Sequence, residues 1–170
     1  DTYLLDPQLN QITALKMNGY YQYVGAGGVP SGPTEVLIVP LEVTVGSPSQ
    51  PLPTPPFTVD VLAFNVSDLF AWQVKIYYNS EVLNFSSAVI PPGNVFDGRE
   101  FVASPVIVRG DEFGPYIMLG ATLLGNETTF NGSGVLCRLT FIGIAARNSF
   151  LSFSTRQDET TLLNSQLGVI

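Results

Sequence analysis

The sequence predicts an all-β sandwich of about nine strands, preceded by an extended N-terminal arm. Three observations carry that expectation. Gly (16) and Pro (13) are abundant and well spread through the 170 residues, so they interrupt any long helix. The runs between them are short and rich in Val, Ile, Phe, Tyr and Thr. Several of these runs alternate with a period of two. Phe57, Val59, Val61 and Ala63 share one face; so do Trp72, Val74, Ile76 and Tyr78, and so do Cys137, Leu139 and Phe141.

The elements follow in order. Residues 1–33 form the arm, and residues 34–170 the body. Gln8–Met17 has some helical character, and the alternation of Tyr21 and Tyr23 against Gln22 reads as a strand. GAGGVPSGP (Gly25–Pro33) is a flexible joint; its GAGG is followed by no helix and cradles no phosphate. Body strands are expected at Thr34–Val39, Glu42–Val45, Phe57–Asn65, Phe70–Tyr78, Val82–Phe85, Val106–Arg109, Tyr116–Leu123, Val135–Ile144 and Phe150–Ser154. GSPSQPLPTPP (Gly46–Pro56) is expected as a stiff polyproline II crossover.

The two ends of the chain repeat each other. DTYLLDPQLNQI (Asp1–Ile12) aligns without gaps to ETTLLNSQLGVI (Glu159–Ile170). Thr2, Leu4, Leu5, Gln8, Leu9 and Ile12 recur as Thr160, Leu162, Leu163, Gln166, Leu167 and Ile170, and Asp1/Glu159 and Asp6/Asn164 are conservative pairs. A repeat spaced by about one domain reads as a module boundary that falls inside a module. The first copy continues into the Tyr21–Tyr23 strand and the second does not, so the body is expected to have an open sheet edge. The arm either closes its own body or fills a neighbour's by strand addition. Its apolar residues Leu4, Leu5, Leu9, Ile12, Leu15, Tyr21 and Tyr23 are the candidate subunit contacts.

Composition excludes several functions. The formal charge is −7, with Lys16 and Lys75 the only lysines, so nucleic acid is not an expected partner. There is no histidine, hence no conventional catalytic triad and no histidine metal ligand. The single cysteine, Cys137, lies in the apolar run VLCRLTF, where a small buried residue is expected and no intrachain disulfide can form. Asp97 with Glu100, Asp111 with Glu112, and Asp158 with Glu159 show no calcium-loop spacing and read as solvated loop charge, so structural calcium has no support. The same acids supply only an unspecific carboxylate pair, and no enzymatic activity is expected. No cofactor is expected beyond N-linked glycans. No apolar stretch approaches the roughly 20 residues that span a bilayer.

Charged residues make up 12% of the chain, about half the usual share. Sugars offer one way to keep such a surface soluble. N-glycosylation sequons occur at Asn65, Asn84, Asn126 and Asn131, all near expected strand ends or loops. They point to an extracellular or cell-surface location. Trp72 with Tyr77–Tyr78 is a candidate sugar platform, but Trp72 alternates with core residues and is read as core.

From Phe57 to Ile170 the sequence resembles a cohesin-like domain of archaeal and bacterial surface proteins, distantly related to carbohydrate-binding modules. FTVDVLAFNVSDLFAWQVKIYYNSEVLNF resembles the family's opening strand pair, LLGNETTFNGSGVLCRLTFIGIA its glycine-led strand ending in Thr-Phe, and FLSFSTRQDETTLLNSQLGVI its closing segment; LEVTVGS looks like its first strand. The resemblance implies a nine-stranded jelly-roll sandwich with flat faces that mediate protein contacts. The arm, the proline stretch and the terminal repeat depart from the bacterial members that bind dockerins. Those departures favour assembly with copies of itself, as a structural subunit of an extracellular filament, pilus or surface layer. The alternative is a binding module for a dockerin-type protein or a polysaccharide.

Overall fold

The computed structural model describes residues 33–43, 52–156 and 159–170, together with the backbone of four short strands in the arm. Those four are β1 (Leu4–Leu5), β2 (Gln11–Ile12), β3 (Ala14–Met17) and β4 (Tyr20–Tyr23). The body contributes β5 (Glu35–Val39), β6 (Phe57–Tyr77), β7 (Leu83–Val89), β8 (Phe101–Ala103) and β9 (Ile107–Asp111). It continues with β10 (Gly114–Leu123), β11 (Phe130–Gly143), β12 (Ser152–Phe153) and β13 (Thr161–Asn164). The fold is an all-β jelly-roll sandwich, and the nine body strands form one sheet curled on itself.

The long strand β6 makes that curl possible. Its first half pairs with β5 on one side and β11 on the other, and β7 lies beyond β11. Its second half pairs with β10 on one side and with β12 and β13 on the other; β8 and β9 pair with β10. β6 therefore belongs to both layers. Asn65 (φ 51°) and Asp68 (φ 61°) take left-handed backbone, and the β11 register slips opposite them between Phe130 and Gly134. Such irregularities bend a strand and re-aim its side chains. Before the bend the odd-numbered Val59, Val61 and Ala63 face inward; after it the even-numbered Trp72, Val74 and Ile76 do.

The core fills the space between the layers. Leu69, Ile117, Leu123, Leu139, Phe141 and Phe96 are fully buried, and Phe141 gathers the rings of Phe57, Tyr78 and Phe85 within about 6 Å. Cys137 is fully buried, and burial pushes its thiol up to about 12. Thr54 donates its N–H to Gly143 O and accepts the Gly143 N–H on Oγ1, which docks the end of the proline-rich stretch on β11.

Several expectations are corrected. Where Gln8–Met17 is described it is strand and not helix: Gln11–Ile12 pairs with Leu4–Leu5 and Ala14–Met17 with Tyr20–Tyr23, while residues 8–10 and 13 lie outside the described residues. Glu42 and Val43 lie outside any strand. Phe57–Asn65 and Phe70–Tyr78 merge into one strand that ends at Tyr77, since the bend at 65–68 keeps its ladder. Phe150–Ser154 shortens to Ser152–Phe153. β8 and β13 were not expected: each is short, and β13 lies in the polar-flanked closing repeat. The polyproline stretch before 52 lies outside the described residues; Leu52 and Pro53 form a bend.

Candidate functional site

The second layer ends on one side in β12 and β13, which lie in sequence along β6. β13 pairs Thr161 with Gln73, Leu162 with Trp72, Leu163 with Ala71 and Asn164 with Leu69. Leu162 enters the core at 3% exposure. The chain then turns back. Asn164 Oδ1 accepts the N–H groups of Gln166 (3.0 Å) and Gly168 (2.8 Å), the kind of local side-chain bond that fixes a tight turn. Leu163 bridges Val169, and Ile170 donates its N–H to Leu162 O at 3.1 Å and packs on the core. Asp68, in the β6 bend, accepts Ser165 N–H and Oγ–H on Oδ2 and so pins the turn.

The arm contains the same hairpin. Leu4 pairs with Ile12 and Leu5 with Gln11. The repeat carries these four residues onto Leu162, Ile170, Leu163 and Val169, which meet in the same register in the body. Three of the six recurring residues have roles in docking: Thr160 on the Lys75 backbone, Leu162 in the core, Ile170 against it. Among the described residues β1 and β2 form one two-stranded sheet in the arm, and Ala14–Met17 with Tyr20–Tyr23 form another. Leu4, Leu5, Ile12, Leu15, Tyr21 and Tyr23 lie on these strands, whereas Leu9 and the Gly25–Gly28 joint lie outside the described residues.

A second feature sits on the outer face of the same layer. Lys75 points away from the core yet is only 4% exposed. Its Nζ donates to Asp111 Oδ2 at 2.7 Å and to Glu159 Oε1 at 2.8 Å. It lies 4.1 Å from the ring centre of Tyr116 and 5.2 Å from that of Tyr77, within cation–π range. Tyr77 Oη donates to Asp111 Oδ2 (2.9 Å), Phe113 N–H to Asp111 Oδ1 (2.9 Å), and Ser154 Oγ to Glu159 Oε2. Burial opposes the Lys75 charge, but the two carboxylates outweigh it and hold the ammonium above its ordinary range. Lys75 in turn holds Asp111 down to about 2 and Glu159 below its usual value. Asp111 and Glu159 are thus not solvated loop charge. Nothing in the sequence spacing linked residues 75, 111 and 159; the one available signal was a lysine set among strand tyrosines.

The remaining predicted residues scatter. Glu112 pairs with Arg156 on the surface, and Asp158 lies outside the described residues. Among the described residues no group of three or more His, Cys, Asp and Glu is placed to hold a metal ion. Trp72 is buried, which removes it as a sugar platform; Tyr77 serves Asp111, and Tyr78 packs on Phe141. Asn84, Asn126 and Asn131 are exposed, whereas Asn65 is half-buried in the β6 bend. Asn131 Oδ1 accepts Asp68 N–H at 3.0 Å. An apolar strip runs along the β8–β9 edge through Val102, Val106, Val108 and Phe113, each more than two-fifths exposed.

Solved structures are similar to this chain in fold. The second type II cohesin module from the adaptor scaffoldin ScaA of Acetivibrio cellulolyticus superposes with a TM-score of 0.59 at 14% identity, covering 82% of this chain and 84% of its own. The body has the cohesin fold. A cohesin from a type II cohesin–X-dockerin complex of the same organism matches with a TM-score of 0.57 at 13% identity, over 81% and 89% of the two chains. Type II cohesin A11 of Bacteroides cellulosolvens gives 0.52 at 13% identity, over 82% and 91%. No protein-family model matches the chain, and no curated protein matches it in sequence. At such identities the likeness is one of fold, as the cohesin-like resemblance of Phe57–Ile170 implies.

Proposed function

We propose that the chain is a non-enzymatic structural module of an extracellular assembly, joined to further copies of the same body by its N-terminal arm. The observation that supports this is the duplicated hairpin. Residues 1–12 repeat both the sequence and the register of the closing hairpin 159–170, which has a seat on β6. Thr2, Leu4 and Ile12 match the three residues that hold the second copy in that seat. Among the described residues, the strands of the arm's copy pair with each other in a two-stranded sheet separate from the body's.

The neighbouring seat becomes available when β13 releases. Among the described strands β13 pairs with β6 alone, its other side covered by the turn-back to Val169 and Ile170, and elements at a sheet edge open at lower free energy than central ones. Exchange of identical elements between copies is a low-cost route to association. A head-to-tail contact of this kind repeats without closing unless its rotation closes, and so builds a filament. Exposed sequons and the charge-poor surface support an extracellular place for it.

A synthetic peptide of residues 1–12 tests the reading. It should bind a body lacking the arm and displace the native closing hairpin, with amide exchange rising at Thr161–Asn164. No binding, or no change at β13, contradicts the proposed seat. The second reading is a binding module for a different surface protein. The exposed strip Val102, Val106, Val108 and Phe113 favours it, as does fold likeness to a cohesin from a dockerin complex. Polymerisation of the pure chain would decide against that reading.

A further inference from the structure

We propose that Lys75 and Asp111 condense to an amide within the folded domain, forming a covalent cross-link between β6 and β9, with Glu159 as proton carrier. The inference stands on the geometry of the outer-face cluster in a body whose own closing hairpin 159–170 is seated.

Three features point to bond formation rather than to an ion pair that merely fixes the fold. The first is placement. Nζ of Lys75 is 2.7 Å from Asp111 Oδ2, and its side chain is 5% exposed against 22% for Asp111 and 25% for Glu159. Held groups of this kind react with effective concentrations far above those of free partners. The second is electrostatic. A buried ion pair bears a desolvation penalty that its mutual attraction only partly offsets. An amide carries no charge, so condensation removes the penalty borne by Lys75 and Asp111. The third is the donor set on Asp111. Phe113 N–H holds Oδ1, and Tyr77 O–H holds Oδ2. These are the positions where negative charge develops when a nucleophile adds to the carboxyl carbon.

The step balances without any outside reagent. The ion pair is the resting form. One proton moves along the Lys75–Asp111 hydrogen bond to give an amine and a carboxylic acid. The Nζ lone pair attacks Cγ of Asp111, and the charge that develops on Oδ1 is held by Phe113 N–H. Glu159 Oε1, 2.8 Å from Nζ, accepts a proton from the nitrogen and returns it to Oδ2, which leaves as water. An Nζ–Cγ bond forms, a Cγ–Oδ2 bond breaks, and ammonium plus carboxylate become amide plus water. Glu159 ends as it began. Ser154 Oγ on its second oxygen keeps it oriented toward Lys75. The cross-link would span from the central strand β6 to the β9–β10 hairpin and close the chain between residues 75 and 111, so that this segment could not extend under tension.

Mass spectrometry of the full chain, made in a host that adds no sugar and held folded at neutral pH, tests the proposal. The intact mass is expected to fall short of the sequence mass by one water. A tryptic map should contain one branched peptide joining Lys75 to Asp111, with no cleavage after Lys75. Glu159→Gln, which can still accept a hydrogen bond from Lys75, should keep the full sequence mass, as should Lys75→Arg. Asp111→Asn should reach the wild-type cross-linked mass by losing ammonia. A wild-type chain at its full sequence mass with only linear peptides overturns the proposal. A cross-link that forms equally in Glu159→Gln overturns the role given to Glu159. Should a variant fail to fold, the wild-type map alone remains decisive.

Discussion

Trp72 shares a register position with Ala121 on one side and Leu162 on the other, so its indole is enclosed by both flanking strands. Trp72→Ala should destabilise the domain by about 3–5 kcal/mol, the usual loss for a large aromatic removed from a packed interior. Chemical denaturation measures it; an unchanged midpoint would return Trp72 to the surface. Gly120 faces Gln73 across the next ladder, and a Cβ there would lie 2.5 Å from Trp72 O. Gly120→Ala must push two paired backbones apart, and about 1–3 kcal/mol of destabilisation is expected from overpacking. Asp68 has a sign that can be worked out. Hydrogen bonds from the Ser165 and Thr129 side chains and the Ser165 backbone hold its carboxyl below 3.8. A group with a depressed folded value stabilises above its unfolded value and loses that contribution as pH falls through the folded one. Stability should therefore decline below about pH 4, and Asp68→Asn should flatten that part of the profile. A variant with the same acid limb as wild type would contradict the assignment.

The inward faces of the long strands were legible because alternation is a local property. Val59, Val61, Ala63, Trp72, Val74, Ile76, Cys137, Leu139 and Phe141 follow the expected faces. The continuity of β6 was not legible. Asn-Val-Ser-Asp reads as a turn, and only the pairing of Gly132 with Val66 and of Phe130 with Leu69 keeps the ladder through it. Long-range partners set that outcome, as they set the Lys75 cluster, whose members are separated by 36 and 84 residues. The terminal repeat was legible from identity alone, yet its pairing was not: the sequence suggested an extended donor strand, and in both copies the ends of the repeat pair antiparallel in the same register. Leu162→Ala removes the one buried side chain that β13 contributes. It should cost about 2–5 kcal/mol, and it should raise amide exchange at β13 before the rest of the sheet. Uniform exchange across all strands would mean that the closing hairpin is not a separable element.

Over the whole molecule, a charge-poor surface with three exposed sequons needs another source of solubility. Asn84, Asn126 and Asn131 are expected to carry sugar in native material, with Asn65 modified least, because its backbone is held by Ser133 and Thr34 in the β6 bend. Peptide mapping of native protein checks this, and a mass equal to the bare polypeptide would remove the main support for an extracellular location. The arm brings a large apolar content to the N-terminus, with Leu4, Leu5, Leu9, Ile12, Leu15, Tyr21 and Tyr23 in two short segments. Such groups favour burial over exposure, and the closing seat on β6 is the site proposed for Leu4, Leu5, Leu9 and Ile12, whose counterparts lie in the closing repeat. The most direct measurement compares the assembly state of the full chain with that of residues 25–170, by electron microscopy and sedimentation at equal concentration. The full chain should form head-to-tail polymers and the truncated chain should remain a folded monomer. Polymers of the truncated chain, or a full chain that stays monomeric, would contradict the account.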